Sequence, residues 1–88
     1  MSHAFDPEVR RGLNRAQGNL ASILTMLTDG RSCVDLAQQL QAVESTIRIV
    51  KRALIHDHME HCITHVVADG EMKPGQALRE FKSLTKYL

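Results

Sequence analysis

Two cysteines and five histidines carry most of the reactive chemistry in this 88-residue chain. His56, His58, His61 and His65 crowd one stretch together with Cys62. His58 and Cys62 are four residues apart, which on a helix puts them on one face, a turn from each other. A nitrogen and a sulfur at that spacing can clamp a single transition-metal ion. The same stretch equally suits a solvated cluster at a helix C-terminus, where histidine complements the helix dipole. His56, His61 and His65 are read as solvent-facing or as supports for the ligands. Cys33, far upstream, and His3, near the N-terminus, are the remaining candidate donors.

The elements that must position these groups are helices. Asp6, Pro7 and Glu8 form a start signal: a capping acceptor, a proline at the first helical position and an acid in the first turn. Val9, Leu13, Ala16, Leu20, Ile23 and Leu27 then alternate spacings of four and three, an apolar seam that predicts a first helix over residues 7–29. Asp29 and Gly30 end it. Ser32 caps the next helix, with Asp35 three residues on as an approximate capping box. Leu36, Leu40, Val43, Ile47, Val50 and Leu54 keep the rhythm, which continues less cleanly to Cys62 and Val66 before Asp69 and Gly70 close it. Pro74 opens a third, shorter helix whose apolar side holds Ala77, Leu78, Phe81, Leu84 and Tyr87 or Leu88.

A second helix of that length overhangs the first by roughly ten residues at about 1.5 Å each. No partner within the chain covers its whole stripe. The expected solution pairs two chains in an antiparallel bundle. Cys33 and His58 lie about 37 Å apart along one such helix and cannot share an ion within a chain. In the antiparallel dimer, Cys33 of one subunit meets His58 and Cys62 of the other, giving a sulfur–nitrogen–sulfur site at each end. His3, just ahead of the first helix, would add a nitrogen and favour Ni(II) or Co(II) over Cu(I), which is content with few soft ligands. A buried structural thiol remains the alternative for Cys33, and an unengaged terminal residue the alternative for His3.

Composition supports an all-α fold. The chain is 43% hydrophobic but only 3% aromatic, so its apolar content is mostly Leu, Ile, Val, Ala and Met, suited to helix seams. The 88 residues are read as one helical domain. No apolar run approaches the ~20 residues of a membrane span, and the N-terminus lacks the pattern of a signal peptide. A cytoplasmic location and reduced thiols are expected. No organic cofactor is expected.

A net charge of +1 excludes a polycation. Arg10, Arg11 and Arg15 on the first helix and Arg48, Lys51 and Arg52 on the second are the candidates for a DNA-binding face, repeated in an oligomer. No helix-turn-helix, zinc finger or basic zipper arm accompanies them, and charges of this kind also simply solvate exposed helices.

Residues 15–20 (RAQGNL), 30–33 (GRSC), 38–43 (QQLQAV) and 57–62 (DHMEHC) resemble the CsoR/RcnR family of bacterial repressors responsive to copper, nickel/cobalt, sulfur species or formaldehyde. The likeness covers roughly residues 5–67, and its Cys…His-x-x-x-Cys spacing is specific. It implies a three-helix protomer, a dimer with intersubunit sites, and a homotetramer built as a dimer of dimers. It also implies operator DNA bound by the metal-free protein and released on metal binding. Cys33, His58 and Cys62 fall on the family's ligand positions. The copper sensors share that Cys-His-Cys pattern, whereas the enterobacterial cobalt/nickel type ends it in His. His3 looks like the extra N-terminal ligand of the nickel/cobalt branch. Ser32 stands where many copper sensors carry a Tyr, and Glu80 matches their distal Glu only with a small gap. Ser2 and His3 do not match the Pro of the formaldehyde branch, and the persulfide branch lacks the equivalent of His58.

The resulting expectation is a repressor released by Ni(II)/Co(II) or Cu(I). A thiol-based sensor of a reactive small molecule and a metal buffer are the alternatives. An enzyme is not expected: there is no phosphate loop, nucleophile elbow or paired-carboxylate arrangement.

Overall fold

The computed structural model describes residues 6–88, so His3 lies outside the described residues. Among the described residues there are three α-helices, one π-helical segment and no strand. Helix α1 spans Pro7–Thr28. It starts where the Asp6 carboxylate accepts the Glu8 N–H at 2.8 Å, with Pro7 as the first helical residue. It ends at Gly30, whose φ of 70° suits a residue without a Cβ. There the Arg31 N–H reaches the Met26 carbonyl and the Gly30 N–H that of Leu27, the paired bonds of a Schellman stop.

Helix α2 spans Cys33–His61. The Ser32 hydroxyl accepts the Asp35 N–H at 3.1 Å, which is one half of the expected capping box. The other half does not form: the Asp35 carboxylate pairs with Arg31 at 3.2 Å. A helix continuing to Val66 was expected, and the helix does continue, but its character changes. From Cys62 to Val67 the backbone widens into a π-helix. A second Schellman stop follows at Gly70, with Glu71 N–H on the Val66 carbonyl and Gly70 N–H on that of Val67. Helix α3, Pro74–Thr85, folds back against the π-helical segment.

Helices α1 and α2 run antiparallel. Val9, Ala16 and Ile23 of α1 and Val43 and Val50 of α2 are buried. Gly12 permits a close approach, since a Cβ built there would lie 2.2 Å from Val50 Cγ2. Only half of the sequence seam is consumed by this pairing. Leu13, Leu20 and Leu27 are 45–57% exposed, and Leu40 and Ile47 are 47% and 41% exposed.

The protomer is a thin rod, 56 × 22 × 14 Å. Its radius of gyration of 17.6 Å compares with about 12 Å for a compact domain of this length. Such a shape buries little by itself and leaves an apolar strip along both long helices.

Candidate metal centre and basic surface

The end of α2 holds the densest chemistry. Cys62, the first residue of the π-helical segment, is 1% exposed. His58 precedes it by one turn, and the Cys62 N–H bonds back to the carbonyls of both His58 and Met59 at the change of helix type. Glu80 of α3 holds the His58 ring through Nε2. An ionised carboxylate only accepts, so in the neutral ring Nε2 carries the proton and Nδ1 keeps the lone pair. The contact therefore selects the ring tautomer and fixes its orientation. Glu80, placed uncertainly by the sequence, thus sits directly on a candidate ligand.

Met72 lies against the thiol. Its sulfur lies 3.7 Å from Cys62 Sγ, and its backbone N–H bonds to the Val66 carbonyl at 3.3 Å. Burial, and to a lesser degree the nearby charge of Glu80, push the Cys62 thiol above its ordinary range. The apo thiol is thus neutral near pH 7, and any cation it binds must displace a proton.

The start of α1 abuts this region. The Asp6 N–H donates to the Asp57 carboxylate at 3.1 Å, so the described chain begins beside the residue that precedes His58.

Cys33 is at the other end of α2. It is exposed and is the helix's first residue, directly after the Ser32 cap. Among the described residues, no three Cys, His, Asp or Glu groups gather within one protomer into a cluster able to hold a metal ion. One protomer therefore supplies an ordered His–Cys pair, chemically suited to a borderline or soft metal but short of a full ligand set. The His61 and His65 rings meet at a tilt, with centroids 5.0 Å apart.

All six candidate DNA-contacting residues are exposed. Arg11 and Arg15 line a groove between the helices with Gly12, Ile49, Val50 and Ala53, and Arg11 also pairs with Glu8. Arg48 and Arg52 lie two positions either side of Val50, about 200° round α2 from the residue that faces α1. A single protomer therefore does not gather the six into one patch. No described helix is long and apolar enough to cross a membrane.

Glu80 and Met72 come to the site through tertiary folding. Glu80 had a faint signal in the family likeness. Met72 was missed, although it is the one apolar side chain in the turn 69–73 (DGEMK).

Comparison with known proteins agrees with this architecture. The family model described as "Metal-sensitive transcriptional repressor" matches residues 6–87. The chain is 40% identical over 80 residues to the copper-sensing transcriptional repressor CsoR of Mycobacterium ulcerans (strain Agy99), covering 88% of this chain and 66% of that protein. It is 32% identical over 81 residues to the copper-sensing transcriptional repressor CsoR of Bacillus subtilis (strain 168), covering 90% of this chain and 80% of that protein. Among solved structures, the nickel-responsive transcriptional regulator InrS superposes with a TM-score of 0.77 at 28% identity, over the whole of both chains.

Proposed function

This chain belongs to the metal-sensitive transcriptional repressor family, and on that premise we propose that it binds operator DNA when metal-free and releases it on binding Ni(II)/Co(II) or Cu(I). The ligands are Cys33 of one subunit with His58 and Cys62 of another, and His3 where a further nitrogen is used. One observation carries the reading. A buried cysteine and an oriented histidine sit one turn apart at one end of α2, and an exposed cysteine sits at its other end. Only an antiparallel partner helix joins the two ends. The half-used apolar seam of α1 and α2 supplies a surface for that partner, first as a homodimer and then as a homotetramer.

The chain's own residues account for the coupling. Glu80 holds His58 with Nδ1 available, so ligation draws on α2 and α3 together. Cys33 brings in the neighbouring α2. A bound ion supplies charge that stabilises thiolates from two subunits at once, and so favours one arrangement of the bundle. If that arrangement presents Arg10, Arg11, Arg15, Arg48, Lys51 and Arg52 out of step with the phosphates, metal and DNA must weaken each other by the same factor.

The two metal choices rest on different relatives, copper for the curated CsoR proteins and nickel for InrS. Anaerobic titration of the reduced protein with Ni(II), Co(II) and Cu(I), each against a competing chelator, distinguishes them. Binding to a duplex selected by the apo protein from a random pool is followed in parallel. Release by Ni(II) or Co(II) that weakens in His3→Ala assigns the nickel/cobalt class, and release by Cu(I) indifferent to His3 assigns copper. If no metal releases DNA, the metal reading fails and the exposed Cys33 becomes the candidate sensor of a reactive small molecule.

A further inference from the structure

We propose that Met72 is a thioether ligand of the same centre, a fourth donor from the Cys62 protomer that biases the site towards a soft monovalent ion, Cu(I). The inference rests on the metal-centre reading above and adds a residue to it.

The spacing of the two sulfurs matches that of two donors on one ion. Metal–sulfur bonds to thiolate are about 2.3 Å, and two such bonds at a tetrahedral angle put the sulfurs about 3.8 Å apart. Cys62 Sγ and Met72 Sδ are 3.7 Å apart. The thioether therefore lies at a distance that suits sharing an ion with the thiolate. Its position is anchored as well. The stop at Gly70, with φ of 76°, reverses the chain, and the N–H groups of Glu71 and Met72 both bond to the Val66 carbonyl. Those bonds return Met72 to the π-helical segment that Cys62 begins. Met72 is half-buried, in a turn where every other residue from 69 to 73 is glycine or charged.

The chemistry gives the preference. A thioether is neutral and soft, so it adds to Cu(I) affinity far more than to that of Ni(II) or Co(II). Binding replaces the Cys62 S–H bond by a sulfur–metal bond and releases one proton, whereas Met72 donates a lone pair and releases none.

The test is Met72→Leu, which keeps an apolar side chain of similar volume. Cu(I) affinity, read by chelator competition, is expected to fall about tenfold or more, while Ni(II) affinity stays within about twofold. Copper-edge X-ray absorption is expected to lose one sulfur from the ion's first shell. Should the variant fold poorly, selenomethionine labelling provides the second measurement: a copper–selenium scattering path appears only if a methionine ligates, and its persistence in Met26→Leu and in Met59→Leu assigns it to Met72. Unchanged Cu(I) affinity with an unchanged sulfur count, or no selenium path, overturns the assignment of Met72 and leaves the Cys33, His58 and Cys62 reading standing. Full Cu(I) binding by Cys62→Ala overturns both.

Discussion

Glu80 holds His58 through Nε2, across 22 residues of sequence. The bond ties the last helix to a ring in the last turn of α2 and decides which nitrogen of the neutral ring keeps its lone pair. An outer partner of this kind raises ligand basicity and fixes orientation, and removing one typically weakens metal binding by about 10–100-fold. Glu80→Ala is expected to weaken Ni(II) or Cu(I) binding by that order, and Glu80→Gln by less, because the amide oxygen still accepts from Nε2. Nitrogen-15 chemical shifts of the His58 ring check the cause: the wild type should show the proton on Nε2, and Glu80→Ala a mixture of tautomers.

Gly12 sits where α1 crosses Val50, with no room for a Cβ. Alanine in a helix gains about 1 kcal/mol over glycine from propensity alone, whereas overpacking costs about 1–3 kcal/mol. The two effects oppose each other, and a 2.2 Å approach to a branched side chain makes overpacking the larger. Gly12→Ala is expected to lower the urea midpoint, and adding Val50→Ala to recover part of the loss. An unchanged midpoint in Gly12→Ala would mean that α1 shifts along α2 without cost.

Burial makes Cys62 slow to react and raises its pKa. In the native apo protein, alkylating reagents are expected to leave Cys62 unmodified until urea unfolds the chain. The pH dependence follows from the raised folded-state pKa. The contribution of the neutral thiol to stability is fully present below the unfolded value of about 8.5 and is lost as pH rises through the higher folded value. Denaturation from pH 7 to 10 should therefore show a loss of stability that Cys62→Ala removes. Metal affinity runs the other way with pH and strengthens as pH rises, because each thiol must give up its proton.

The exposed strip of Leu13, Leu20, Leu27, Leu40 and Ile47 predicts assembly. Sedimentation of the wild type is expected to give a multiple of the 9.9 kDa chain mass. Leu20→Asp, which places a charge on the strip but outside the α1–α2 core, should shift the protein towards a single chain and abolish three-ligand metal binding with it. Sedimentation of that variant at wild-type mass would sink the proposed interface.

Arg48 and Arg52 share one side of α2, and Arg11 and Arg15 another groove. If all contact phosphates, each alanine substitution lowers DNA affinity and reduces the slope of log affinity against log salt by about one. A pair whose removal leaves that slope unchanged does not touch DNA.

Local signals were read correctly from the sequence because they act through the residues that carry them. Asp6 and Pro7, Ser32, Gly30, Gly70 and Pro74 each start or stop a helix where the sequence indicates. The seam was legible as a pattern but not in its division. Val9, Ala16 and Ile23 turn inward while Leu13, Leu20 and Leu27 turn out, because a two-helix contact covers only part of a stripe that broad. The ligand pair His58 and Cys62 was legible from spacing. The placing of Glu80 and Met72 was not, since it depends on the direction in which α3 returns. Nothing in residues 62–67 announces the change of helix type in the segment against which α3 packs.

That wide turn works as a spare residue in the helical frame. Each residue of an α-helix advances the chain by about 100°. Taking one residue out between Cys62 and Val67 would let the segment rewind as an α-helix, and the tighter winding would offset the missing residue. Gly70, Met72 and Glu80 would then stay close to their present side of α2, whereas one residue removed from the α-helical stretch before Cys62 would turn them by about 100°. The wide turn is the place along α2 where a change of length disturbs the centre least.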